Sequence, residues 1–135
     1  MVGNVFGYDT YMIVEGSLKN VADNKGIEGF EVRLRLANYR GYLLSQIEDV
    51  RISIDGRPME RDAITLTLNG RSYTLEEMEN TTDDRWGILD EATLLVRLPG
   101  GLEIGDHEVA VEEHIRASYI PMVAVASSRK TMSLA

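Results

Sequence analysis

The run Phe30-Glu31-Val32-Arg33-Leu34-Arg35-Leu36 decides the fold class. Its period is two: Phe30, Val32, Leu34 and Leu36 fall on one face, Glu31, Arg33 and Arg35 on the other. Successive side chains of a strand point to opposite faces, so this is the pattern of a half-buried strand. Val50, Ile52 and Ile54 repeat it around Arg51 and Ser53, and Ile64, Leu66 and Leu68 repeat it around Thr65 and Thr67. Leu94, Val96 and Leu98 follow the same rule until Pro99-Gly100-Gly101 breaks the run.

The punctuation between these runs is that of antiparallel pairing. Asn69-Gly70 ahead of Arg71-Ser72-Tyr73-Thr74-Leu75 is a tight hairpin signal, because both residues tolerate the left-handed backbone of a type I′ turn. Asp55-Gly56 and Gly105-Asp106 turn the chain, Asp23-Asn24-Lys25-Gly26 reads as a plain turn, and Pro58 marks irregular backbone. Residues 11–21 carry β-branched side chains and are expected to pair early. His107 to Glu112, Ile115 to Ile120 and a closing Met132-Ser133-Leu134 edge complete the expected strands. Ser127-Ser128-Arg129-Lys130 reads as a loop.

Helix is confined to single turns. One is expected at Leu75 to Glu79, with Thr74 as N-cap and Glu77 three residues on, and another at Leu43 to Ile47. Short alternating strands separated by turns give an all-β, antiparallel two-sheet β-sandwich, with a barrel as the alternative. Nothing marks an internal boundary, so residues 1–135 read as one β-sandwich domain. Such a length buries roughly two thirds of its unfolded surface without a covalent staple.

Composition narrows the function. The chain has no cysteine, which removes disulfides, a thiol nucleophile and Cys-based metal sites. Net charge is −8. With no Lys/Arg cluster, this speaks against nucleic acid and anionic membrane surfaces as partners. No apolar run approaches the ~20 residues of a membrane span. The first residues lack the basic and apolar regions of a signal peptide, so a cytoplasmic location is expected.

The two histidines give little acid–base chemistry. His107 shares strand parity with Val109 and Val111 and reads as a cap on the core edge. His114 follows Glu112 and Glu113, a combination able to titrate near neutrality or to bind a metal, although adjacency in sequence does not bring those side chains to one point. Asp83-Asp84 with Asp90-Glu91 lacks the spacing of a calcium loop. No metal site and no catalytic residue is assigned to this chain.

Three segments carry more than scaffold: Asn38-Tyr39-Arg40-Gly41-Tyr42, Asp83-Asp84-Arg85-Trp86-Gly87, and Arg116-Ala117-Ser118-Tyr119-Ile120-Pro121. Tyr, Trp and Arg dominate binding hot spots because they combine large buried area with a polar tip. The candidate interface set is therefore Tyr39, Arg40, Tyr42, Asp84, Arg85, Trp86, Arg116, Tyr119 and Pro121. Two readings stand open for Trp86, the chain's one tryptophan: a contact residue or its immediate support, and a plug between the sheets. The acidic neighbours are expected to orient Arg85 and Trp86.

At these segments the chain resembles the small (beta) subunit of the bacterial C-glycoside deglycosidases. The resemblance is carried by Tyr11-Met12-Ile13-Val14-Glu15, Tyr39-Arg40-Gly41, residues 50–56, Gly70-Arg71-Ser72-Tyr73-Thr74-Leu75, Asp83-Asp84-Arg85-Trp86 and Pro99-Gly100-Gly101-Leu102 with Gly105-Asp106-His107. Tyr119-Ile120-Pro121 and Lys130-Thr131-Met132-Ser133-Leu134 complete it, and the glycine-rich lead at residues 3–9 is not matched. It implies a β-sandwich that works with a larger TIM-barrel subunit holding a divalent metal, typically manganese, and a histidine base. The complex would cleave the carbon–carbon bond of a 3-oxo-C-glycoside, between sugar and an aromatic aglycone such as a flavonoid. A ketone at C3 acidifies the C2 proton, and the resulting enolate expels the aryl group at C1. The small subunit would bind no cofactor itself. A stand-alone carbohydrate- or aromatic-binding sandwich, an accessory subunit of another sugar lyase or epimerase, and a small enzyme built on His114 with Glu112 or Glu113 are the competing readings.

Overall fold

A computed structural model describes residues 12–24, 26–36, 41–87, 89–116 and 123–134. The strands run β1 (Lys19–Asp23), β2 (Gly26–Arg35), β3 (Tyr42–Leu43), β4 (Ile47–Ile54), β5 (Arg57–Pro58), β6 (Ile64–Leu68) and β7 (Arg71–Thr74). After the single helical turn α1 (Leu75–Met78) come β8 (Arg85–Trp86), β9 (Glu91–Arg97), β10 (Gly105–Arg116) and β11 (Val123–Leu134). Two sheets form, ordered β1-β2-β9-β6-β7 and β11-β10-β4-β5, with a small β3-β8 ribbon beside them. All described strand pairs are antiparallel.

The alternation in the sequence sets the core. Phe30, Val32, Leu34, Leu66, Leu94 and Val96 from the first sheet join Val50, Ile52, Ile54, Val109, Val111 and Ile115 from the second in one buried cluster. Two inner faces that share one core make a sandwich, not a barrel. Each such aliphatic side chain contributes roughly 1.5–3 kcal/mol by leaving water. The outer face of β2 is polar as expected: Arg33 and Arg35 both bond Glu91 on β9, at 2.8 and 3.2 Å. Gly29 sits mid-strand because a Cβ there would lie 2.0 Å from the Val96 carbonyl oxygen.

Both tight turns take the backbone their residues permit. Asp55 and Gly56 have φ of 53° and 82°, Asn69 and Gly70 of 54° and 79°, the two positive values that a type I′ hairpin requires. The expected cap of α1 forms reciprocally. The Glu77 amide donates to Thr74 Oγ1 at 3.1 Å, and the Thr74 amide donates to Glu77 Oε1 at 2.8 Å. The other expected turn is a 3-10 turn at Leu44–Gln46.

Two readings of the second half change. The strands expected at residues 107–112 and 115–120 are, as far as Arg116, one strand, β10, with a register shift against β4 between His114 and Ile115. Residues 127–130 are not a loop. They lie within β11 and pair with Val109 to Glu112. Their core-face positions are polar: Ser128 is buried, and the Lys130 ammonium donates to the Ile13 carbonyl at 3.0 Å while meeting Glu15 at 3.2 Å. This tie joins the edge of the second sheet to the residues that pair with β2, where Ile13 bridges Leu34.

Candidate functional site

Strand register gathers the described residues of the three aromatic and arginine segments at one end of the sandwich. Arg35 pairs with Glu91, so the end of β2 lies beside the start of β9. Ile47 pairs with Ile115, placing the start of β4 beside the end of β10. The β3-β8 ribbon then joins two of the segments directly, with Tyr42 opposite Trp86 and Leu43 opposite Arg85. Gln46 reaches the third by donating to the Arg116 carbonyl at 3.4 Å. Tyr39, Arg40, Tyr119 and Pro121 lie outside the described residues; Gly41, Arg116 and Val123, which flank them, are at this end.

Within the described set the side chains divide by exposure. Tyr42 and Trp86 are buried, Trp86 with none of its surface exposed, and Asp84 is buried too. The plug reading therefore holds for the Trp86 ring, and a direct contact by that ring does not fit this conformation. Its indole N–H donates to the Asp90 carbonyl at 3.0 Å, the partner a buried indole requires. Gly41 lets the ribbon close, since a Cβ there would lie 2.8 Å from the Trp86 carbonyl oxygen. Arg85 and Arg116 are exposed. Arg116 pairs with Glu48 at 2.7 Å, and Arg85 donates to the Gly41 carbonyl at 3.3 Å.

Asp84 holds this end together. It accepts from the Tyr73 hydroxyl at 2.6 Å, the Asn69 side-chain amide at 2.9 Å and the Arg85 backbone amide at 2.9 Å. These donors, Tyr73 first, hold its carboxyl below the ordinary carboxylate value, and the Tyr73 phenol is pushed up in return. The expected orientation of Arg85 by its acidic neighbours runs through the backbone amide and not the guanidinium. Asp84 fixes the Arg85 backbone, and Asp83 meets Arg71 at 3.5 Å.

The histidines serve the framework. His107 Nδ1 lies 2.7 Å from Asp55 Oδ2 and Nε2 lies 2.7 Å from the Glu103 carbonyl. Both neighbours are acceptors, so both ring nitrogens donate and the protonated ring is favoured. The His107 pKa is raised, by the Glu103 carbonyl first and Asp55 second. With the folded value above the unfolded ~6.5, the stabilisation is complete below that pH and is lost as pH rises through the folded value. Urea midpoints are expected to fall between pH 6 and pH 9 in the wild type, with a flatter profile for His107→Gln. Equal slopes for the two proteins would refute the linkage.

His114 bonds Glu112 at 3.0 Å on the outer face of β10. Glu113 points the other way, into the core, and is fully buried; the two glutamates therefore cannot serve His114 together. Among the described residues, no three His, Asp or Glu side chains come together as metal ligands. A depression of about 390 Å³ on the outer face of the second sheet, between Arg51, Ser53, Ala110, Glu112, Ser127 and Arg129, lies at mid-strand and away from the loop end. No described helix is long and apolar enough to cross a membrane.

Sheet order and pairing together define an antiparallel β-sandwich with the small β3-β8 ribbon at one end. A family model for the C-glycoside deglycosidase beta subunit matches residues 8–119, and the chain belongs to that family. It is 37% identical over 106 residues to the C-glycoside deglycosidase beta subunit of Eubacterium cellulosolvens, covering 78% of this chain and 72% of the relative. It is 38% identical over 112 residues to the 3'-dehydrocarminate deglycosidase beta subunit of a Microbacterium species, covering 82% and 80%. A beta subunit of Arthrobacter globiformis carrying the same C-glycoside deglycosidase name is 32% identical over 89 residues, 66% of this chain and 68% of the relative.

Proposed function

We propose that this chain is the non-catalytic small subunit of a cytoplasmic, hetero-oligomeric C-glycoside deglycosidase. Its partner is a larger TIM-barrel subunit that carries the catalytic base and a divalent metal, manganese being the one expected. The observation that carries the proposal is the match to the beta-subunit family across residues 8–119. The name of the Microbacterium relative, a dehydrocarminate deglycosidase subunit, specifies an oxidised substrate for that protein. This agrees with a 3-oxo glycoside here, in which loss of the C2 proton lets the aryl group leave C1. The lack of cysteine suits a reducing compartment.

In this reading the chain's own contribution is structural. Its loop end meets the partner, and Arg85 and Arg116 are the described members of the candidate set with exposed side chains. Their guanidinium groups suit carboxylates across an interface. The proposed contact set also includes Tyr39, Arg40, Tyr119 and Pro121, which lie outside the described residues. Co-expression with the cognate large subunit is expected to give a stable complex that cleaves a 3-oxo-C-glycoside. A small subunit that elutes as a monomer and leaves the large subunit's turnover unchanged would refute the proposal.

A further inference from the structure

We propose that the outer edge of β11 is a self-association surface, along which a second copy of this chain adds its own β11, antiparallel, across a twofold axis. The inference goes beyond the deglycosidase reading and does not depend on it. An exposed strand edge is a template for pairing with another chain, and proteins blunt such edges with short strands, prolines, bulges and charges.

The two sheets have four edges, and three of them are blunted. β5 closes the second sheet with two residues, one of them Pro58. β7 is four residues long and runs straight into α1. β1 is five residues long, with a register irregularity between Val21 and Ala22. β11 is neither short nor interrupted. It is twelve residues long, lacks proline and stays in continuous register with β10 from Val123 to Leu134. Among the described residues, no strand lies on its other side. An inward-pointing charge can guard an edge, but the Lys130 ammonium is committed to the Ile13 carbonyl and Glu15.

Charge along the strand selects the occupant and the register. Residues 123–128 are Val, Ala and Ser alone, and Arg129 and Lys130 follow directly. β11 holds no carboxylate to offset these cations, so two copies avoid like-charge contact by meeting along the uncharged half. A twofold axis at Ser127 sets Ser127 opposite its own copy, Val125 opposite Arg129 and Val123 opposite Thr131. Residues directly opposite in an antiparallel pair share a face, so the second sheets of the two copies join into one continuous sheet. The two Arg129 positions then stand about 14 Å apart along the strands, beyond the ~10 Å over which salt leaves exposed charges coupled. An axis at Arg129 would instead set the cations against one another. Such a contact uses the same patch on both chains, needs no feature that β11 does not supply, and leaves the loop end open to another subunit.

The test combines analytical ultracentrifugation of the full chain with oxidation of single-cysteine variants, whose cross-links are unambiguous because the chain has no cysteine of its own. Wild type is expected to show a concentration-dependent monomer–dimer equilibrium. Ser127 is half-buried on the outer face. Ser127→Lys sets two ammonium groups across the axis and is expected to weaken the dimer at least about tenfold, with the circular dichroism of the fold unchanged. Ser127→Cys is expected to form an intermolecular disulfide on mild oxidation, since directly opposed Cα atoms lie ~5 Å apart, within disulfide reach. Thr131→Cys, on the same face but about 27 Å from its copy in this register, is expected to stay reduced. A strict monomer at every concentration, the result if another segment of this chain or a different subunit takes the edge, overturns the proposal. A dimer untouched by Ser127→Lys, or equal cross-linking of the two cysteine variants, overturns it as well.

Discussion

Trp86→Ala is expected to cost about 3–5 kcal/mol of folding stability, the range for truncating a fully buried large aromatic residue. The ring is completely buried within this chain, so the loss should be measured on the isolated small subunit and should not require a partner. Three things disappear at once: the packing of the ring, the hydrogen bond to the Asp90 carbonyl, and the brace between the β3-β8 ribbon and the core. Trp86→Phe keeps most of the volume and loses the N–H, so its cost should be smaller, with much of it reflecting an Asp90 carbonyl left without its donor. As the chain has one tryptophan, its emission reports this site directly. The native spectrum should be blue-shifted and resistant to acrylamide, and urea should shift it to the red in step with loss of β-sheet circular dichroism. Emission already at the position of a water-exposed indole, or an alanine variant as stable as wild type, would sink this account of the ring.

That outcome bears on how much could be read from the chain beforehand. Strand faces were legible wherever apolar residues alternate, as at Phe30 to Leu36, because burial and period coincide there. The Asp55-Gly56 and Asn69-Gly70 hairpins were legible because their chemistry is local. β11 was obscured at residues 127–130 because its core-face positions are a serine and a lysine. Ser128 is buried, and Lys130 hides its ammonium by bonding the Ile13 carbonyl, so a hydrophobic period is absent where the strand continues. The membership of the loop cluster was readable from residue type, yet its division of labour was not. Tyr42, Asp84 and Trp86 look like contact residues by composition, but pairing of β3 with β8 turns them inward and leaves Arg85 outside. Only the register between segments more than forty residues apart settles which member of each pair faces the core.

Asp84→Ala is expected to destabilise the chain by about 2–4 kcal/mol, because it strips three donors of one acceptor in a buried site. The Tyr73 hydroxyl, the Asn69 amide and the Arg85 backbone amide all converge on this carboxylate. Water reaches the site poorly, since Asp84 is only 8% exposed and Tyr73 only 7%. Asp84→Asn keeps the shape and one acceptor oxygen, and the Tyr73 hydroxyl can turn to accept from the new amide, so its cost should be smaller. The pH dependence separates charge from shape. The folded carboxyl lies below its ordinary value, so its ionic contribution is fully present above the unfolded pKa of ~3.9 and is lost as pH falls through the depressed folded value. The stability gap between wild type and Asp84→Asn, measured by urea unfolding, should be constant from pH 7 to pH 5 and narrow below about pH 4. A gap that stays constant into acid would mean that the carboxylate acts only as a hydrogen-bonding shape. A gap that narrows ties the anchoring of Arg85 and the turn beyond it to one buried charge. In that case acid should loosen the loop end before it unfolds the sandwich, because the loop end is held by Asp84 whereas the sheets are held by apolar burial.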